Sequence, residues 1–368
     1  MSLESKTWTV LSLFSGAGGM DLGFTGGFTF LGKTYPRTGF KVVKAYDNNR
    51  RAVDTYNANL DPVAELKDVT TLQDHEIPSV DVVIGGFPCQ DFSLAGSRHG
   101  IQVNRGRLYL ALVRAIEVAK PAVFVAENVK GLLSANKGLA IKVMMDDFAN
   151  AGPGYRLYAK VLNAADYGVP QKRERVFIVG VRSDLPGDFA FPLPTHANPQ
   201  VAAKYGLLPW VTAKEAIGDL EDEDKLRSLP NHEYTKTKFF PYWNQERILN
   251  PNEPSPTILA RGNTGLPMHY RPRQSGTLVE PVEFSPTSQT GCAVDYSSLR
   301  RLAVREAARL QSFPDDFVFY APMSEAYRLV GNAVPPVLAW HVAMAIRSFL
   351  DTIGYGELDE SAWACCLS

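Results

Sequence analysis

The chain has 368 residues, 45% hydrophobic and 21% charged, a composition ordinary for a globular protein of one large domain or two of usual size. A net charge of −1 argues against a protein that coats nucleic acid, and no apolar run reaches the roughly eighteen residues of a membrane span. The N-terminal residues lack a secretion signal, and the four cysteines (Cys89, Cys292, Cys365, Cys366) form no Cys-x-x-Cys pair, so a reducing cytoplasm and no metal are expected.

In chain order, apolar runs predict strands over 8–14, 41–46, 80–84, 122–126, 157–162 and 176–181. Helical spacing predicts helices between them over 49–59, 107–120 and 137–151. In the second of these Leu108, Leu112, Ala115, Ile116 and Ala119 fall on one face. Such alternation implies an α/β fold, a mostly parallel, doubly wound sheet with helices on both faces. After about residue 185 prolines multiply, and 228–300 has little periodicity, the texture of a smaller, loop-rich domain. Helical texture returns over 304–312 and 335–349, where Pro335-Pro336 suits a helix start. The expected division is 1–185, 186–319, a return to the first domain over 320–350, and a tail over 351–368.

Charge is uneven along this frame. Residues 225–310 hold twelve Lys and Arg against seven Asp and Glu, and they follow the acidic run Asp219-Leu220-Glu221-Asp222-Glu223-Asp224. A basic stretch in a neutral protein suits a polyanion, although a solvated surface has the same composition.

Several motifs carry chemistry. Phe14-Ser15-Gly16-Ala17-Gly18-Gly19 lets a backbone approach a cofactor closely, but it lacks the Gly-x-Gly-x-x-Gly spacing, and Asp21 stands where a pyrophosphate would be repelled. Asp47 ends the second strand, where an acid can accept from a ribose diol, and Asp68 could hold an adenine amine; each could equally be a cap. Gly85-Gly86-Phe87-Pro88-Cys89-Gln90 places a thiol where a strand meets a glycine-rich cleft, suited to a nucleophile, though a lone cysteine often fills a core. Glu127, in Glu127-Asn128-Val129, sits at a strand end where partial burial would raise its pKa toward proton donation. In Gln171-Lys172-Arg173-Glu174-Arg175 an extended chain would put Arg173 and Arg175 on one face, able to grip a carbonyl or phosphate oxygen. Residues 327–336 form a polar turn before a helix, able to close over a cofactor.

Taken in order, these motifs resemble those of the DNA cytosine-5 methyltransferases over nearly the whole length. Phe14–Gly19 is similar to the family's S-adenosylmethionine turn, Pro88-Cys89-Gln90 to its nucleophile motif, and Glu127-Asn128-Val129 to its proton-donor motif. Gln171–Arg175 follows the pattern Gln-x-Arg-x-Arg. Residues 305–314 resemble the motif that supports the recognition domain, and Gly331-Asn332-Ala333-Val334-Pro335 the last cofactor motif. Six motifs in order are specific; only 221–300, the family's variable recognition region, has no strong match.

The resemblance implies a Rossmann-like S-adenosylmethionine methyltransferase domain (1–185 and 320–350) with a smaller target-recognition domain (186–319). Cys89, Glu127, Arg173 and Arg175 would be catalytic. Phe14, Gly16, Gly18, Gly19, Asp47, Asn48, Asp68, Val69, Pro88, Leu108, Asn332, Ala333 and Val334 would hold S-adenosylmethionine. Gln90, Ser93, Arg98, Arg105, Arg261, Arg271 and Arg273 are candidates for DNA contact, and the arginine-rich loop after Cys89 suits a lid. The implied setting is a cytoplasmic monomer acting on double-stranded DNA, either as the partner of a cognate restriction endonuclease or as a solitary methylase, with no membrane. Three alternatives remain: cytosine-5 methylation of tRNA, a catalytically silent DNA-binding homologue, and a nicotinamide enzyme, which the glycine spacing disfavours.

Overall fold

The computed structural model describes residues 6–88, 107–234, 248–261, 266, 267, 269, 273, 274, 277, 278 and 300–356. Seven strands form its central sheet: β1 (Trp8–Leu13), β2 (Phe40–Asp47), β3 (Ala64–Leu66), β4 (Val82–Gly86), β5 (Val123–Val129), β6 (Tyr155–Asn163) and β7 (Glu174–Arg182). Their order is β3-β2-β1-β4-β5-β7-β6. The first five are mutually parallel, and β7 runs antiparallel to both β5 and β6. The expected strands are all present, shifted by up to three residues at their ends.

Ten α-helices accompany the sheet among the described residues: α1 (Gly19–Thr25), α2 (Arg50–Asn59), α3 (Arg107–Ala119), α4 (Leu139–Asn150), α5 (Pro199–Tyr205), α6 (Ala213–Ile217), α7 (Glu223–Arg227), α8 (Val304–Leu310), α9 (Met323–Asn332) and α10 (Pro336–Thr352). Strand side chains alternate between faces, and the core divides accordingly. Val10, Val82, Ile84, Val125 and Val179 pack on one face with Phe24 of α1 and Val337, Leu338 and Val342 of α10. Leu11, Val83, Phe124 and Ile178 pack on the other with Leu112 and Ile116 of α3 and Met144 and Phe148 of α4. A sheet buried on both faces reads as near-continuous apolar runs, which is why its strands stand out in the sequence. Each such side chain contributes about 1.5–3 kcal/mol by leaving water.

Two contacts join the ends of the chain. A Cβ on Gly23 of α1 would lie 2.4 Å from Ala339 Cβ and 2.5 Å from Pro336 O, so α10 packs where only a glycine leaves room. A Cβ on Gly19 would lie 2.5 Å from Val334 O, so the loop between α9 and α10 sits directly on the first turn.

That loop also bears on the membrane question. Against the sequence expectation, Met323–Thr352 is long and apolar enough to cross a membrane. It comprises α9 and α10 either side of the bend at 333–335, and 72% of its apolar window is buried within the protein. The apolarity belongs to the core.

Beyond β7, Ile217, Leu249, Ile258, Leu302 and Leu310 pack into the same core as α10, while Leu220, Leu226 and Ala303 form a small cluster of their own. The acidic run serves locally: Asp222 caps α7 by accepting from the backbone N–H groups of Asp224 and Lys225, and Asp219 pairs with Lys225 and Arg309. In α8 the buried Arg305 donates to the carbonyls of Pro230, Pro314 and Phe317. Arg309 holds Asp315 with both Nε and Nη2, at 2.7 Å each. Ser255–Pro256 adds a short parallel pairing to Gln171–Lys172, just before β7.

Candidate active site

The first element of the site is the turn between β1 and α1. Phe14, Gly16 and Gly18 have φ of 56°, 54° and 86°, a left-handed run that carries the chain sharply off the strand end. Asp47, at the end of β2, secures it. One carboxylate oxygen accepts from Gly16 N and the other from Asn49 N, both at 2.8 Å. Burial raises the Asp47 pKa against these stabilising backbone donors. A Cβ on Gly16 would meet no atom within 4 Å, so the turn opens onto space on that side, and Ser15 Oγ is buried without a partner among the described residues.

The cofactor candidates divide around this turn. Ala333 is half-buried and Val334 buried in the loop seated on Gly19, while the neighbouring Asn332 is exposed. Asn48 is exposed, as is Pro88, and Leu108 is half-buried. Asp68 is exposed and caps the short turn Val69–Thr71, accepting from Thr70 N at 2.9 Å and Thr70 Oγ1 at 2.8 Å; Val69 packs in the core. Asp21 does not face outward to repel an anion. It is wholly buried, accepts a 3.1 Å hydrogen bond from the Tyr56 hydroxyl, and is raised by burial to about 6.

The second element is the end of β4 and β5. Asn128 Nδ2 donates to Phe87 O at 2.9 Å, and its Oδ1 accepts from Val129 N at 2.8 Å. One amide thereby fixes the chain two residues before Cys89. Gly86 pairs in register with Glu127, and a Cβ there would lie 3.1 Å from Glu127 Oε2, so the glycine makes room for the carboxyl. Glu127 is 7% exposed, and burial raises its pKa against the opposing pull of Arg175 and Arg173. Arg175 Nε lies 3.0 Å from Glu127 Oε1. Cys89 itself lies outside the described residues, as do Gln90, Ser93, Arg98, Arg105 and Arg271.

The two arginines of the Gln-x-Arg-x-Arg pattern part company, which corrects the expectation that both grip substrate. A residue at the break before β7 need not follow strand alternation, and Arg173 turns its guanidinium onto main-chain carbonyls. Nη1 donates to Ile258 O at 3.0 Å; Nη2 donates to Gly331 O at 2.8 Å and to Ala333 O at 3.0 Å. Arg175 alone faces Glu127 and a cavity of about 570 Å³. Lys130, Asn163, Lys172, Trp210 and Thr257 also line that cavity. Sequence reasoning missed Trp210 and Thr257, which only the fold brings to β7. Arg261 is exposed, and Arg273 lies in a short strand paired with Thr277–Leu278.

The site therefore combines an open glycine turn with an acid, a buried carboxyl held by an arginine, and a clamped approach to a cysteine. Comparison with known proteins bears on the family and the fold. The family model for C-5 cytosine-specific DNA methylases matches residues 8–348. Type II methyltransferase M.NgoFVII of Neisseria gonorrhoeae is 39% identical over 91% of this chain and 85% of its own length. Type II methyltransferase M.MthTI of Methanothermobacter thermautotrophicus is also 39% identical, over 94% and 98%. Among solved structures, the S. pombe Dnmt2 methyltransferase superposes with a TM-score of 0.62 over 95% of this chain and 100% of its own, at 18% identity, a likeness of fold alone. Sequence, architecture and site lead to one assignment: the chain belongs to the C-5 cytosine-specific DNA methylases and is a DNA cytosine-5 methyltransferase.

Proposed function

We propose that the chain methylates carbon 5 of cytosine within a short sequence of double-stranded DNA, using S-adenosylmethionine, a covalent Cys89 adduct and an extruded base. The observation that carries this reading is the buried Glu127 carboxyl, ion-paired to Arg175, beside the Phe87 carbonyl that Asn128 clamps.

The turn fits the cofactor: Gly16 opens onto space, Ser15 Oγ lacks a partner among the described residues, and Asp47 retains lone pairs for a ribose diol. Phe14, Gly16, Gly18, Gly19, Asp47, Asn48, Pro88, Leu108 and Asn332–Val334 would hold it. Asp68 and Val69 are assigned to its purine side, Asp68 through the lone pairs its cap leaves open. S-adenosylmethionine supplies, when bound, the electrophilic methyl that carbon 5 accepts.

The chain's own residues make carbon 5 able to accept it. The Cys89 thiolate adds to carbon 6, and the ring's π electrons shift toward nitrogen 3. Glu127, kept protonated more readily than an ordinary carboxylic acid, donates its hydrogen there and offsets the growing charge. Arg175 orients Glu127 and stabilises the same charge; Arg173 acts through the main chain and is a positioning residue. Once carbon 5 carries the methyl, water takes the proton from carbon 5, the electrons of that C–H bond restore the C5–C6 double bond as the thiolate leaves carbon 6, and the hydrogen on nitrogen 3 returns to Glu127. Carbon 6 is inaccessible in a stacked duplex, so the base must leave the helix, at a cost of a few kcal/mol. Gln90, Ser93, Arg98, Arg105, Arg261, Arg271 and Arg273 are assigned to the DNA, within a division into 1–185 with 320–350 and a recognition region over 186–319. The relatives are named type II methyltransferases, which supports a cytoplasmic role as the modification partner of a restriction endonuclease.

Bisulfite sequencing of plasmid from methylase-free cells expressing the chain tests this. Protected cytosines within one short motif, absent with Cys89→Ala, are expected. Uniform conversion in both, with soluble protein present, would reject DNA as the substrate and turn the search to RNA.

A further inference from the structure

The strongest feature outside the reacting groups is a buried knot of three side chains. Gln171, Arg173 and Gln311 come from the strand before β7 and the end of α8, and each is at most 1% exposed. Between them they hold two stretches of main chain that belong to different parts of the site. Toward the recognition region, Gln171 Oε1 accepts from Ile258 N at 3.1 Å and Arg173 Nη1 donates to Ile258 O at 3.0 Å. Toward the loop seated on the first turn, Arg173 Nη2 donates to Gly331 O and Ala333 O, and Gln311 Nε2 donates to Ala333 O at 2.6 Å. Gln171 Nε2 closes the knot on Gln311 Oε1 at 2.5 Å and Leu310 O at 3.1 Å.

The two stretches also touch directly. A Cβ on Gly331 would lie 2.6 Å from Leu259 C and O and 2.7 Å from Ala260 N, so backbone meets backbone with no side chain between them. Arg173 Nε is buried without a partner among the described residues, so the guanidinium depends on the contacts named above. If Ile258 shifts, one arm of a buried cation loses its acceptor. The favourable response is for the Gly331–Ala333 carbonyls to move with it, because an unpaired buried charge is costly.

We propose that Arg173, with Gln171 and Gln311, couples the recognition segment at 255–260 to the cofactor loop at 331–334, so that engaging DNA sets the grip on the cofactor. The proposal rests on the reading of these two regions given above. Coupling between sites is reciprocal, and a factor of roughly 5 to 150 is usual for linked sites. The knot is a positioning device; none of its members needs to touch either ligand.

The test uses S-adenosylhomocysteine as probe, titrated calorimetrically into the full chain with and without unmethylated plasmid DNA. In the native protein DNA should tighten the probe by fivefold or more. Arg173→Lys, which keeps the charge but cannot span three carbonyls, should bring that ratio near one while probe affinity without DNA changes less than threefold. Gln311→Met removes the bond to Ala333 O without introducing charge; it should at least halve the ratio, and it serves if the lysine variant does not fold. A ratio unchanged in the folded variants overturns the coupling, as does equal weakening with and without DNA, the mark of a purely structural role. A native chain that binds the probe with a ratio of one overturns the coupling alone. A native chain that does not bind the probe overturns the cofactor assignment, and the coupling with it.

Discussion

Glu127 and Glu306 are both buried carboxyls facing arginine, and their proton affinities move in opposite directions. Burial pushes each upward. At Glu306 it is overcome: Arg300 approaches bidentate at 2.7 Å on both oxygens, Ala303 N donates at 2.8 Å, and His269 lies 3.5 Å away. The result is a carboxylate held well below its ordinary range. At Glu127 the Arg175 contact is at 3.0 Å and burial prevails. What separates a structural carboxylate from a proton donor here is the number and alignment of donors, since both residues sit among positive charge.

Replacing the two by glutamine should therefore break different things. Glu127→Gln should lower turnover by roughly 10²- to 10⁴-fold, the range for a lost general acid, in a single-turnover assay with tritiated methyl donor. Its unfolding free energy should fall far less than that of Glu306→Gln. A Glu127→Gln protein of undiminished turnover would remove the acid from the mechanism. Glu306→Gln leaves the Arg300 charge buried without its counterion and should cost about 3–5 kcal/mol in urea unfolding. A loss below 1 kcal/mol would show that the pair is not closed as described.

The contrast extends to pH, and Asp21 gives its clearest reading. Its folded pKa of about 6 lies above the ordinary 3.8. Its contribution to stability is full below pH 3.8 and lost as pH rises through 6, because ionising a buried carboxyl opposes folding. A shift of about two units corresponds to about 3 kcal/mol. Asp21→Asn should therefore be more stable relative to native at pH 7 than at pH 4. Equal differences at both pH values in urea melts would contradict the assignment. Glu306 has the opposite sign, stabilising above its ordinary pKa and losing that contribution as pH falls.

Much of this was legible in the sequence because the informative residues are local. The strands show as apolar runs since both sheet faces are covered, and Gly16, Asp47 and Glu127 stand at strand ends that those runs mark. What depends on distant segments was not legible. Nothing in Gln171–Arg175 shows that Arg173 would reach Ile258 and Gly331, because those acceptors are backbone carbonyls 85 and 158 positions away. The reversal of β7 was equally hidden, since an apolar strand reads the same in either direction. Glu306 was passed over as part of a helical motif, and its partner Arg300 lies six residues earlier in an irregular stretch.

The seating of Val334 on Gly19 has a consequence for biosynthesis. At about 5–20 residues per second, the loop leaves the ribosome roughly 15–60 s after the turn it covers. For that interval the nascent chain carries the turn and its bare helix without α10, which fills the notch at Gly23. A truncated product thus exposes apolar surface and lacks the closed turn. Completion of the chain, more than folding of its first half, is the step that separates a liability for quality control from a finished protein.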